Sequence, residues 1–153
     1  MTCRYHSDLA ASQEAIRLAR DELLGVIDPL NRSDLERARK GGWTVRKVLE
    51  HVIYSERLFA QAGAYLCGTE VSGRPESSAP GSASEARTML LDSRQAVLKA
   101  LEGLEMDPMA NEKFYDLRTV GHEEYSVLSV LENVANHDHE HAAQIREILA
   151  ADR

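Results

Sequence analysis

The sequence predicts an all-α four-helix bundle, on three observations. Four long segments repeat apolar side chains at three- and four-residue spacing. Aromatic residues make up only 5% of the chain. Gly and Pro are grouped between the periodic segments rather than spread at short intervals, as a many-stranded β fold would require. The 153 residues suit one domain spanning 1–153, large enough to bury a core without disulfide staples.

The first helix is predicted from Asp8 to Ile27, with Leu9, Ile16, Leu18, Leu23, Leu24 and Ile27 near helical register. Asp28-Pro29 ends it, because proline lacks a donor and disfavours helix in its predecessor. In the connection that follows, Asn31-Arg32-Ser33-Asp34 starts a short helical turn, and Gly41-Gly42 closes it. Thr44 is the expected N-cap of the second helix, with Trp43 before it as a hydrophobic staple against Val48 and a member of the core. Val45, Val48, Leu49, Val52, Leu58, Phe59, Ala62 and Leu66 continue the stripe to a C-cap at Gly68.

A Gly/Pro/Ser-rich stretch, Val71 to Ser84, is a loop. The third helix follows from Ser84 to Leu104, carrying Ala86, Leu90, Leu91, Val97, Leu98 and Leu101. Glu105 to Glu124, with Asp107-Pro108 and Gly121, reads as irregular, and the fourth helix runs from Ser126 to Ala150. Antiparallel neighbours in a bundle need only about 2–8 linking residues. A connection of roughly 15 residues between the second and third helices is long enough to return along the bundle, so those two helices can lie parallel.

Composition narrows the function classes. Apolar residues at 43% and charged residues at 28% describe a globular chain, and the net charge of −7 argues against nucleic acid as a partner. No apolar run is long enough for a membrane helix, and residues 1–8 lack the apolar centre of a secretory signal. Cys3 and Cys67 form neither a CxxC pair nor a disulfide framework, so two reduced thiols and a cytoplasmic location are expected.

The chemistry sits in the histidines. Three of the six fall in His137-Asp138-His139-Glu140-His141. At 3.6 residues per turn His137 and His141 share a face, whereas His139 lies about 200° away. Val127, Val130, Leu131, Val134, Ile145 and Ile148 pass through the sector of 137 and 141, so those two imidazoles point inward and His139 and Glu140 outward. Buried imidazoles need partners for their nitrogens, and a divalent metal accepts neutral rings in this geometry. His51, at the edge of the second helix's apolar stripe, would complete a three-histidine site if the helices face each other. Taken alone, HxxxH also suits a surface pair, and His51 a satisfied boundary histidine.

Two other metal patterns fail on the residues present. A di-iron carboxylate bundle needs ExxH pairs, but Val48, Val134 and Asp138 stand three residues before His51, His137 and His141. An HExxH protease motif starting at His139 would need histidine where Ala143 stands, and the HDxxH variant at 137–141 carries a shorter acid than the general-base glutamate.

The segment Gly41-Gly42-Trp43-Thr44-Val45-Arg46-Lys47-Val48-Leu49-Glu50-His51, taken with His137-Asp138-His139-Glu140-His141-Ala142-Ala143-Gln144, resembles the DinB/YfiT-like family of four-helix-bundle proteins. The first is similar to the family's Gly-Gly-Trp-Ser/Thr opening that ends in a helical histidine; the second is similar to its final His-x-x-x-His-x-x-Gln pattern. The resemblance implies an up-down-down-up bundle, commonly a homodimer, with a metal on His51, His137 and His141. Zinc or nickel is the expected ion, and some relatives use a low-molecular-weight thiol.

The expected function is therefore a divalent-metal-dependent enzyme acting on a small-molecule substrate by hydrolysis or thiol transfer. The alternative is a non-catalytic metal-binding or protein-interaction bundle. No residue is singled out as general base. Glu50, Tyr54, Glu56, Asp138 and His122 are each expected within reach of the site mouth, and Gln144 is placed to bond a ligand ring. Arg46, Lys47 and Arg118 are the cations available to a carboxylate-bearing thiol.

Overall fold

The computed structural model describes residues 3–66, 73–102, 115–116, 124–125 and 127–151; the side chains at 3–10, 66, 101, 115–116, 124–125 and 127–130 are outside that description. Gly68, Cys67, Arg118, His122 and the predicted end of the third helix at Leu104 lie outside the described residues, as does the side chain of Cys3.

Four long helices dominate: α1 (Cys3–Ile27), α3 (Val45–Leu66), α4 (Ala83–Leu101) and α5 (Val127–Ala150), with the short α2 (Arg32–Leu35) between the first two. The helix predicted from Asp8 begins earlier, at Cys3. In the region read as irregular, β1 (Tyr115–Asp116) and β2 (Glu124–Tyr125) form one small antiparallel pair, Tyr115 opposite Tyr125.

Local chemistry accounts for the helix ends. Asn31 and Asp34 form a reciprocal capping box on α2, satisfying two backbone donors at once. The Thr44 hydroxyl accepts from the Lys47 amide at 3.1 Å, and the Ser82 hydroxyl from Glu85 at 3.1 Å. Between α2 and α3 the chain doubles back: Gly41 takes φ +76°, a left-handed value that favours glycine. An isolated bridge then pairs Ala38 with Thr44. This turn sets Trp43 one residue ahead of the helix cap.

The core is built by Leu23 and Ile27 of α1, Leu35 of α2, Val48, Leu49 and Val52 of α3, Leu90 of α4, and Ile145 and Ile148 of α5. Burying each large aliphatic side chain contributes about 1.5–3 kcal/mol. Leu18, predicted in the first stripe, is instead 51% exposed. α1 packs along α5, and α3 along both α4 and α5. α1 and α4 touch more sparingly, leaving a groove of about 330 Å³ between Leu24, Leu91 and Leu98.

Specific pairs give the helix directions. Arg46 at the start of α3 donates to the Pro80 carbonyl just ahead of α4, and Glu56 in mid α3 meets Arg94 in mid α4. These two helices therefore run the same way, as the long connection between them allows. Asp28, just past α1, pairs with Arg87 near the start of α4, whereas the Ile16 carbonyl meets Arg94 further along. So α1 and α4 run oppositely. Among the described residues no helix is long and apolar enough to cross a membrane.

Candidate metal centre

His51 projects from α3, and His137 and His141 from successive turns of α5, toward one point. His137 Nε2 lies 3.0 Å from His51 Nε2 and 3.1 Å from His141 Nε2. One nitrogen from each ring can be chosen so that all three fall within 4.8 Å of one another. The rings pack at steep mutual angles, with centroids 4.3 to 4.9 Å apart.

The donor set fits a divalent transition metal better than it fits hydrogen bonding alone. Gln144 Oε1 lies 2.7 Å from His141 Nδ1 and accepts the proton there, which leaves the His141 Nε2 lone pair facing His137. A neutral His137 carries at most one Nε2 hydrogen and cannot serve His51 and His141 together. A cation shared by the three lone pairs resolves this. With metal–nitrogen bonds of about 2.0–2.1 Å, neighbouring donors stand about 3.0 Å apart at a right angle and about 3.4 Å apart at a tetrahedral angle. The two short separations fall at the lower end of that range.

Electrostatics favour the same state. Burial, then the neighbouring His141 and His51, push the pKa of His137 down to about 3. Burial, His141 and Lys47 lower His51 as well. Both rings are therefore neutral at ordinary pH, with lone pairs free to bind a cation.

A cavity of about 480 Å³ opens beside His51. Trp43, Lys47, Glu50 and Tyr54 line one side of it, and Arg74, Pro75 and Ser77 of the crossover loop the other. Ser77 donates to Glu50 at 2.8 Å, and Arg57 donates to the Glu76 carbonyl at 2.7 Å, so the loop is pinned to α3. Ser77's hydrogen bond and Lys47 hold the Glu50 carboxyl below its usual range.

Several sequence expectations change here. Trp43 is not core: it is 44% exposed, and its ring lies 5.1 Å from that of His51. Glu56 and Asp138 are not at a site mouth. Both are buried with Arg20 and Arg94 in a quartet drawn from all four long helices. Arg20 donates to Asp138 at 2.8 Å and also bonds Glu56. Arg94 donates to Glu56 at 2.6 Å and to Asp138 at 2.8 Å. The remaining guanidinium donors reach the carbonyls of Leu90 and Ile16, so two cations and two anions are mutually satisfied. Burial works against the Arg20 charge, but Glu56 and Asp138 outweigh it and its pKa is raised.

Arg46 is committed to Glu36 and Pro80, which removes it from the cations expected near the site. Lys47 does line the cavity. His139 is exposed and pairs with Glu22, as its outward register predicts. Sequence reasoning missed the loop residues Arg74, Pro75 and Ser77, because nothing in a Gly/Pro/Ser-rich stretch indicates which helix it will cover. The quartet did leave a signal: Arg20, Glu56, Arg94 and Asp138 each occupy an apolar-stripe position of a different helix.

Fold and site together define a four-helix bundle with a histidine triad shared by two facing helices. Residues 15–145 match the DinB superfamily, and the chain belongs to that superfamily. It is similar to the crystal structure of TT2238, a four-helix bundle protein, at 21% identity and TM-score 0.68, over 90% of this chain and 96% of that one. It is also similar to the crystal structure of a DinB-like protein from Bacillus cereus ATCC 10987, at 17% identity and TM-score 0.69, over 91% and 89% of the two chains. At these identities the likeness speaks to the fold alone. No curated protein matches the chain.

Proposed function

We propose that this protein is a divalent-metal-dependent enzyme acting on a small molecule, with His51, His137 and His141 as the metal ligands. The observation that carries the reading is the convergence of ring nitrogens across α3 and α5, at 3.0 and 3.1 Å. Three protein ligands leave positions open, the arrangement of catalytic rather than structural sites. Zinc or nickel held there would supply Lewis acidity for hydrolysis of a small substrate or for transfer of a low-molecular-weight thiol.

The chain's own residues prepare the centre. Burial keeps His137 neutral, Gln144 fixes the proton on His141 Nδ1, and the quartet clamps the helices that carry the ligands. Glu56 and Asp138 are both bound to arginines, which takes them out of the general-base role. A purely structural metal is the weaker reading, since the apolar core and the quartet already fasten all four long helices. The proposal extends to a homodimer in the cytoplasm, and sedimentation of the purified chain reads the assembly directly.

The test is turnover restored by metal. Chelated protein, reloaded with zinc or nickel, is assayed with nitrophenyl esters for hydrolysis and with a small thiol plus chlorodinitrobenzene for transfer. Metal-restored turnover that disappears in His51→Ala, with helical content unchanged, supports the proposal. Turnover retained in that variant refutes it.

A further inference from the structure

We infer that the cavity beside His51 takes a small organic anion, its apolar or aromatic body against Trp43 and its charged group on Arg74. The inference rests on the metal-site reading for the cavity's role as the place of the substrate.

Some groups around the cavity already have partners. Glu50 is met by Lys47 at 3.3 Å and by Ser77 at 2.8 Å. Those three side chains therefore satisfy one another. Arg74 makes no hydrogen bond or ion pair among the described residues, and neither does the Tyr54 hydroxyl, although both line the cavity. Arg74 is not on a free-standing loop, because the next residues are anchored through Glu76 and Ser77. Among the described residues, a cation and a phenol thus stand at the cavity with their bonding capacity open.

The charge pattern points the same way. The chain carries −7 overall, yet among the described residues the cavity presents Lys47 and Arg74 against the single acid Glu50. Guanidinium groups bind carboxylates through two parallel hydrogen bonds. Trp43 supplies the apolar contact: 44% of it stays exposed, next to His51, where a ring or alkyl group can cover it. A volume of about 480 Å³ lies within the range of small-molecule pockets.

Trp43 is the chain's only tryptophan, so its fluorescence reports on this cavity. The experiment titrates metal-free protein with phenylacetate, with neutral phenylacetamide and with cationic phenethylamine. Removing the metal first prevents the carboxylate from binding the ion instead. A saturable response to phenylacetate is expected, with the other two weaker by about fivefold or more. Arg74→Gln should bring phenylacetate down to the level of the amide, leave the amide unchanged and preserve the helical content. Equal affinity for all three probes, no saturable binding, or an Arg74→Gln variant identical to wild type overturns the inference. Metal content of the same preparation is read separately by elemental mass spectrometry. Protein that takes up metal but ignores phenylacetate keeps the metal centre and loses this inference; the opposite pair of results does the reverse.

Discussion

Gln144 accepts a hydrogen bond from Nδ1 of His141 at 2.7 Å, across one turn of α5. The bond settles which nitrogen of His141 carries the proton, and so which one faces His51 and His137. Partners of this kind orient a ligand ring and raise its basicity, and losing one typically lowers metal affinity about 10- to 100-fold. Gln144→Ala is therefore expected to weaken zinc binding by that factor without unfolding the bundle. Competition titration against a chromophoric chelator measures it, and an unchanged affinity would remove Gln144 from the site.

The depressed histidines make the metal-free protein sensitive to mild acid. The imidazole of His137 sits at about 3 when folded, against about 6.5 in an unfolded chain. Above that higher value neither state binds the proton, and the contribution to stability is complete. As pH falls from about 6.5 toward about 3, the unfolded chain takes up a proton that the folded ring refuses, so stability declines, by at most about 1.4 kcal/mol per pH unit for one ring. Urea unfolding of metal-free protein should show a lower midpoint at about pH 5 than at about pH 7.5. His137→Phe should flatten that difference, and an equally steep profile in the variant would rule His137 out as its source.

The buried quartet predicts a large mutational effect far from any surface. Glu56→Gln leaves the Arg20 and Arg94 guanidinium groups buried against one carboxylate, and breaking such a cluster costs about 3–5 kcal/mol. Replacing Glu56 and Arg94 together by leucine keeps the charge balanced and should cost less than the single change. Denaturant titrations of the single and double variants decide this. A Glu56→Gln protein as stable as wild type would show that the quartet does not fasten the helices.

The fold was legible because four apolar stripes, the Thr44 cap and the Asp28-Pro29 stop all act locally, within a turn or two of the residues that encode them. The histidine triad was legible for a related reason: His137 and His141 are set by helical period alone, and His51 lies on the inner edge of a predicted helix. The rest depends on contacts distant in sequence. Trp43 reads as a staple from its neighbours, but the turn at Gly41 sets it beside His51 and leaves it partly exposed. Glu56 and Asp138 read as site acids because they sit near the histidines in sequence. Only the packing of α1 and α4 brings Arg20 and Arg94 to them and takes them out of the chemistry. The loop that carries Arg74 and Ser77 has no periodicity, so its place over α3 could not be read in advance.

Elemental analysis decides whether His51, His137 and His141 together hold one metal ion. Untagged protein, purified without chelators or nickel resin, should carry or take up about one equivalent of zinc or nickel per chain, as a single three-ligand site requires. His137→Ala should carry almost none while keeping its helical content. A wild-type protein that neither contains nor takes up either metal, or a His137→Ala variant that binds as much as wild type, would rule out the three-histidine centre.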